Sequence, residues 1–210
     1  MPITHKEKIE NTLHVGVWEI TETELELRNG LDLSSDSLTR LSQRKSEVHR
    51  KGYLAIRQLL KFFKIEPQMH QYDLQGAPYL TDGRFISISH TKNIAAVTLS
   101  STPVGVDLEY YQEKIKKIAS RFLHEKEAIE IAKHSDIHYL TKIWTAKEAL
   151  YKVYRRAGIH FNTQLLIEPF DSTSNKGIGL IFHEEKKWQY HLDFRYFQNY
   201  CLTIARPKLA

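Results

Sequence analysis

The sequence contains a single cysteine, Cys201. One cysteine excludes an internal disulfide framework and any zinc site built on cysteines. There is no glycine-rich loop of the P-loop or dinucleotide-binding kind, and no G-x-S-x-G nucleophile elbow. No low-complexity tract and no repeat of about 20–50 residues is present, which excludes a solenoid or propeller. Long hydrophobic runs are also missing. The longest uncharged stretch near the centre, Asn93 to Val106, is too short and too polar to cross a bilayer. Met1 to Lys8 is charged and lacks the apolar run of a signal peptide. Together these absences predict a cytoplasmic protein that does not enter a membrane.

What is present is enough for a folded core. The chain has 210 residues, 41% hydrophobic and 26% charged, which suits one large domain or two small ones. Its net charge is +5, and a mildly basic surface suits an anionic ligand or an acidic partner without requiring either. Aromatic residues are frequent, at 11%, but no RNA-recognition signature accompanies them, so no nucleic-acid partner is expected.

Hydrophobic periodicity divides the chain into alternating helix and strand. Leu13 to Leu27 contains a β-like run through Val15, Val17 and Ile20. Ser42 to Phe63 reads as one helix with Leu54, Leu59, Leu60 and Phe63 as its buried stripe. Gly76-Ala77-Pro78 and Asp82-Gly83 are turn signals. Arg84 to His90 alternates, with Ile86 and Ile88 on one face and Ser87 and Ser89 on the other. Ile94 to Leu99 and Val104 to Glu109 are two further strands, separated by a break at Thr102-Pro103. Ile115 to Lys133 and Tyr139 to Arg156 read as helices, the second stopped by Gly158. Gly179 to Phe182, Trp188 to Phe194 and Tyr200 to Ala205 return to strand. The expected fold class is α+β in two similar lobes, residues 1–102 and 103–210.

Four groups of residues could carry chemistry. Asp107 and Glu109 stand two apart at the end of a strand, so both carboxylates share a face while Val106 and Leu108 take the other. Such a pair favours a hard cation between its oxygens, magnesium being the natural one; a solvated strand end accounts for the spacing equally well. Trp144, Glu148 and Lys152 follow at i, i+4 and i+8, one helix face, where Glu148 could add a third carboxylate and Lys152 could reach a phosphate. The alternative is an ordinary Glu–Lys surface pair. Ser89-His90 closes a strand with hydroxyl, imidazole and backbone donors, as a phosphate site or as a plain turn. Arg44, Lys45, Arg50, Lys51 and Arg57 make a basic helical segment, able to bind a phosphomonoester or merely to face water. His134 and His138 have the i, i+4 spacing of zinc ligands, but no third ligand is evident and they are expected to be surface residues.

In order along the chain, Gly76-Ala77-Pro78, FISISH from Phe85, GVDLE from Gly105 and WTAKEALYK from Trp144 resemble the 4′-phosphopantetheinyl transferase superfamily, in its larger, monomeric, surfactin-synthetase-activating type. The family patterns are F-(N/S)-(I/L)-S-H, G-x-D-x-E and W-x-x-K-E-(A/S)-x-x-K, and the likeness runs from about Gly76 to Lys152. The resemblance implies two similar α/β lobes with coenzyme A in the cleft between them. It implies that Asp107, Glu109 and Glu148 hold Mg2+, that Lys152 contacts the phosphate nearest the pantetheine arm, and that Asp107, Glu148 and Lys152 are catalytic. Ser89 and His90 would meet the adenosine end, with Arg44, Lys45, Arg50 and Lys51 as further cations for its phosphates. The implied reaction moves the phosphopantetheine arm of coenzyme A onto a serine of an apo acyl or peptidyl carrier protein, as in holo-[acyl-carrier-protein] synthases. The carrier's acidic helix would meet a surface including Lys116, Lys117, Arg121 and Phe122. The competing reading is a coenzyme A-binding module of the same fold without catalysis. One departure stands out: many relatives carry G-K-P, and here Ala77 replaces the lysine, leaving Lys92 or Arg84 to compensate.

Overall fold

The computed structural model describes residues 3–10, 12–131, 136–171 and 173–208. The chain divides at Thr102-Pro103 into two compact units, each mixing helix and antiparallel sheet.

In the first unit β1 (Ile3–Ile9) and β2 (Leu13–Glu19) form a hairpin, followed by the short helices α1 (Glu24–Arg28) and α2 (Ser35–Ser42) and the long helix α3 (Glu47–Phe62). A small hairpin follows, β3 (His70–Tyr72) with β4 (Pro78–Leu80), then β5 (Phe85–Thr91) and β6 (Ile94–Ser100). The main sheet has the order β1-β2-β6-β5. Its register pairs Val17 with Ala96 and Ile88 with Val97. All seven residues of β6 are buried. Helix α3 lays Leu54, Leu59 and Leu60 against Trp18, Ile86, Val97 and Leu99 to make the core.

The helix expected from Ser42 begins only at Glu47, because Ser46 takes the N-cap position. Its side chain accepts from the backbone N–H of His49 and starts α3 at Glu47. Arg44 and Lys45 therefore lie in the link before α3. Strand β1 has no counterpart in the sequence reading. Its residues alternate between half-buried and exposed and include Lys6, Glu7 and Lys8, the composition of a protected sheet edge.

The second unit opens with β7 (Gly105–Tyr110). Helices α4 (Lys114–Phe122), α5 (Glu125–Ile131), α6 (Ile137–Tyr154) and α7 (Phe161–Gln164) follow, then β8 (Leu165–Ile167), β9 (Lys176–His183), β10 (Lys186–Phe197) and β11 (Tyr200–Pro207). The sheet order is β7-β11-β10-β9-β8. Leu140, Ile143, Leu150 and Val153 of α6 pack with Ile181, Leu192 and Phe194 in the core. Cys201 is free and buried. The expected helix over Ile115 to Lys133 breaks at Leu123-His124, where the Glu127 side chain reaches back to accept from the His124 N–H at 2.8 Å and opens α5; Lys133 lies outside the described residues. Helix α6 ends before Gly158: Arg155 adopts a left-handed conformation, φ 56°, and caps it. Among the described residues no helix is long and apolar enough to cross a membrane.

His70, at the start of β3, is a buried titratable group of the first unit. Burial, and then the Arg57 and Arg40 guanidiniums, push its imidazole from 6.5 down to about 3, against a smaller pull from Asp36. Between those two values the unfolded chain takes up a proton that the folded chain refuses. Stability is therefore complete above pH 6.5 and falls as the pH drops toward 3. By pH 4 the loss from this group amounts to about 3 kcal/mol, at roughly 1.4 kcal/mol per pH unit. Urea titrations at pH 7 and pH 4 should show this loss, and His70→Gln should flatten the slope; an unchanged slope contradicts the assignment.

Candidate functional site

The GVDLE strand and the WTAKEALYK helix meet because glycine stands at position 105. A Cβ there would run into the Ala149 carbonyl oxygen and sit 2.8 Å from Val153 N. The missing side chain lets β7 lie directly on the backbone of α6. Asp107 and Glu109 alternate with Val106 and Leu108 along the same strand, so both carboxylates share the face of Gly105.

Three residues of α6 answer them. Lys152 Nζ donates to Asp107 Oδ1 at 2.8 Å and to the Val106 carbonyl at 3.0 Å. Trp144 Nε1 donates to Glu109 Oε1 at 3.2 Å, its ring packed 5.1 Å from Phe122 and 5.7 Å from Phe161. Glu148 stands between them in sequence, and burial followed by the Asp107 charge pushes its carboxyl up to about 7; Glu109 adds to the rise and Lys152 opposes it. Glu109 is likewise pushed up to about 7, first by burial and then by Asp107, against the Trp144 hydrogen bond and Lys152. Burial and the neighbouring carboxylates thus raise both glutamates.

Among the described residues no three His, Cys, Asp or Glu side chains are poised, as they stand, to hold a metal ion. Asp107 instead has Lys152 as its counter-ion. The donor set is nonetheless that of a hard cation: carboxylate oxygens only, mutually repelling and partly desolvated, with no thiolate or imidazole among them.

The helix motif holds a further lysine that the pattern left without a role. Lys147 is fully buried. Its Nζ is 2.7 Å from Glu127 Oε2 and donates to the carbonyls of Phe122, Phe161 and Leu165 at 2.6, 3.0 and 2.7 Å. Glu127 also accepts from the Ile167 and His124 N–H groups. Burial pushes the Lys147 ammonium down to about 8 and the Glu127 carboxyl up, each against the opposing pull of the other. It ties α6 to α5, α7 and β8, fixing the helix that carries Glu148 and Lys152. The signal for it was a lysine between Ala146 and Ala149 on an apolar turn. Nothing local pointed to Glu127 as its partner.

In the first unit Ser89 is buried and His90 half-buried on β5. A Cβ on Gly52 would fall 2.7 Å from His90 Nδ1, so this glycine of α3 makes room for the imidazole. His49 lies edge-on to it, ring centroids 6.2 Å apart. The basic group is dispersed rather than aligned. The Arg44 guanidinium stacks 4.1 Å above Tyr53 and donates to the Arg40 carbonyl. Arg50 pairs with Glu24 at 2.8 Å and donates to the carbonyls of Arg44 and Lys45. Arg57 is buried against Tyr53. Lys45 is exposed and Lys51 half-buried. Of the two bases expected to stand in for the lysine missing at Ala77, Arg84 pairs with Asp82 at 2.6 Å, and Lys92 is exposed in the β5–β6 turn at φ 43°. The expected surface on α4 keeps Lys116, Lys117 and Arg121 exposed. Phe122 is corrected: it is fully buried in the core and presents no surface. His134 lies outside the described residues, and His138 packs on Tyr111, ring centroids 4.1 Å apart.

Residues 103–205, nearly the whole second unit, match the model of the 4′-phosphopantetheinyl transferase superfamily. This second unit belongs to the superfamily. A curated relative, 4′-phosphopantetheinyl transferase gsp of Aneurinibacillus migulanus, is 30% identical over 115 residues, which cover 53% of this chain and 46% of that protein. The match thus spans about half of the relative's length.

Two substitutions test how the site is held. Gly105→Ala should force β7 off α6 and cost about 1–3 kcal/mol or more, read as a lowered urea midpoint; an unchanged midpoint contradicts the close approach. Lys147→Met leaves Glu127 buried without its counter-ion and should cost about 3–5 kcal/mol. Adding Glu127→Gln should restore part of that loss, and equal losses in the single and double variants would contradict the pairing.

Proposed function

We propose that this chain transfers 4′-phosphopantetheine from coenzyme A to a serine of an apo acyl or peptidyl carrier protein, releasing adenosine 3′,5′-bisphosphate. The observation that carries the proposal is the contact of α6 with the two strand carboxylates where β7 lies on it: Lys152 on Asp107 and Trp144 on Glu109, with Glu148 between the two donors in sequence. That arrangement suits a diphosphate carried by a divalent cation, as the family resemblance implies.

Asp107, Glu109 and Glu148 would hold Mg2+. When bound, the ion supplies charge neutralisation of the diphosphate. The Trp144 indole orients Glu109 through its hydrogen bond. Lys152 would turn from Asp107 to the phosphate nearest the pantetheine arm and stabilise the negative charge that develops there. Glu148 would accept the serine proton. The serine oxygen then bonds to the pantetheine-side phosphorus while the bond from that phosphorus to the bridging oxygen breaks. Ser89 and His90 would meet the adenosine end, His90 at the 3′-phosphate. Lys116, Lys117 and Arg121, exposed on α4, suit the acidic helix of a carrier protein.

The deciding assay is the intact mass of an apo carrier protein incubated with the chain, coenzyme A and Mg2+. The expected result is a gain of one phosphopantetheine group that EDTA prevents and that Asp107→Ala abolishes. No gain on several carriers, with coenzyme A still bound, would instead make this a non-catalytic coenzyme A-binding module. Lys152→Ala should lower kcat about 100-fold, in the range for loss of one charge-stabilising donor, with a smaller change in the KM for coenzyme A. The KM for the carrier should rise with ionic strength; a salt-independent KM would remove α4 from the docking surface.

A further inference from the structure

A cavity of about 240 Å3 lies in the first unit, at the C-terminal end of α3, and plays no part in the chemistry above. Its polar lining includes Arg57, His70 and Ser37, which are 8%, 7% and 6% exposed. Leu60 and Ile65 add buried apolar wall. The Arg57 guanidinium is held by Tyr53: Nη2 donates to the Tyr53 hydroxyl at 2.5 Å, and Cζ lies over the ring, 4.1 Å from its centroid. Arg57 Nη1 and His70 Nε2 are buried and have no hydrogen-bond partner among the described residues.

A buried polar atom left without a partner costs about 1–3 kcal/mol, and more when it is charged. Folded proteins therefore rarely keep one unless a water, an ion or a ligand completes it. Here two such atoms belong to residues lining one cavity. A guanidinium fixed by an aromatic neighbour can bind a planar or tetrahedral oxyanion through charge-assisted hydrogen bonds. His70, kept neutral by its burial and by Arg57, can donate Nε2–H to the same oxyanion in one tautomer. The exposed Lys61 and Lys64 are balanced by the exposed Asp32 and Glu66, leaving Arg57 as the one net positive charge. That balance suits a singly charged head group, and Leu60 and Ile65 suit a short hydrocarbon body.

We propose that this cavity is a binding site for a small organic carboxylate, its head group on Arg57 and His70 and its apolar body against Leu60 and Ile65. The proposal is independent of phosphopantetheine transfer and stands or falls separately from it.

The test is a titration of the full chain with sodium butyrate at constant ionic strength, read by NMR at the His70 ring, with sodium chloride as the control. Butyrate should shift the His70 resonances saturably, chloride should not, and saturating coenzyme A should leave the butyrate curve unchanged. Arg57→Gln, if folded by circular dichroism, should weaken binding by at least about tenfold, equivalent to ~1.4 kcal/mol. Should that variant fail to fold, Lys64→Glu decides: it changes only an exposed residue, makes the cavity net negative and should weaken butyrate severalfold. An absence of saturation overturns the proposal. So do competition by coenzyme A, an affinity unchanged in Lys64→Glu, and tighter binding of inorganic phosphate than of butyrate at the same ring.

Discussion

The second unit depends on how closely α6 can lie on β7. Backbone meets backbone at Gly105, where no side chain larger than hydrogen fits. The same helix is pinned from its other side by Lys147, whose ammonium gathers Glu127 and three carbonyls in the core. A buried ion pair adds little net stability over an apolar replacement, but it is costly to break and specific about position. Position is what this site needs. Asp107 and Glu109 sit on a strand, Glu148 and Lys152 on a helix, and their relation is set by the distance and register between two rigid elements rather than by loops.

That placement works against stability locally. Three carboxyls share a half-desolvated face, and two of them are pushed up to about 7. Near neutral pH each of the two is therefore partly protonated, a state that charge repulsion and burial enforce together. The ion pair of Asp107 with Lys152 and the Trp144 indole on Glu109 relieve part of this strain. Carboxyls so poised favour whatever brings positive charge to them, which links the unit's electrostatics to the proposed cation and its diphosphate.

Much of this was legible in the sequence because it is local. Period two placed Asp107 with Glu109, and period 3.6 placed Trp144, Glu148 and Lys152 on one face. The strands β5, β6, β7, β9, β10 and β11 were equally plain, since each contains a short apolar or alternating run, whereas the three-residue β8 was not read. What failed to show was set by capping and by distant partners. Ser46 delays the start of the expected helix by capping α3, and Glu127 splits another by reaching back to His124. Strand β1 reads as a polar terminus because it is a charged edge. Arg44 and Arg57 looked like a phosphate-binding face, yet both stack on Tyr53, a contact that composition cannot reveal. Phe122 ends a basic helix and is nevertheless wholly buried. Lys147 shows the same limit, its partner lying twenty residues upstream on another helix.

The central claim is that the face shared by β7 and α6 is a divalent-cation site completed by coenzyme A. Manganese in place of magnesium makes it directly visible, through the electron paramagnetic resonance signal of the bound ion in the presence of coenzyme A. The account predicts a bound signal in the native chain and its loss in each of Asp107→Asn, Glu109→Gln and Glu148→Gln, all three remaining folded. A bound signal that survives in all three variants would place the cation elsewhere and contradict the account.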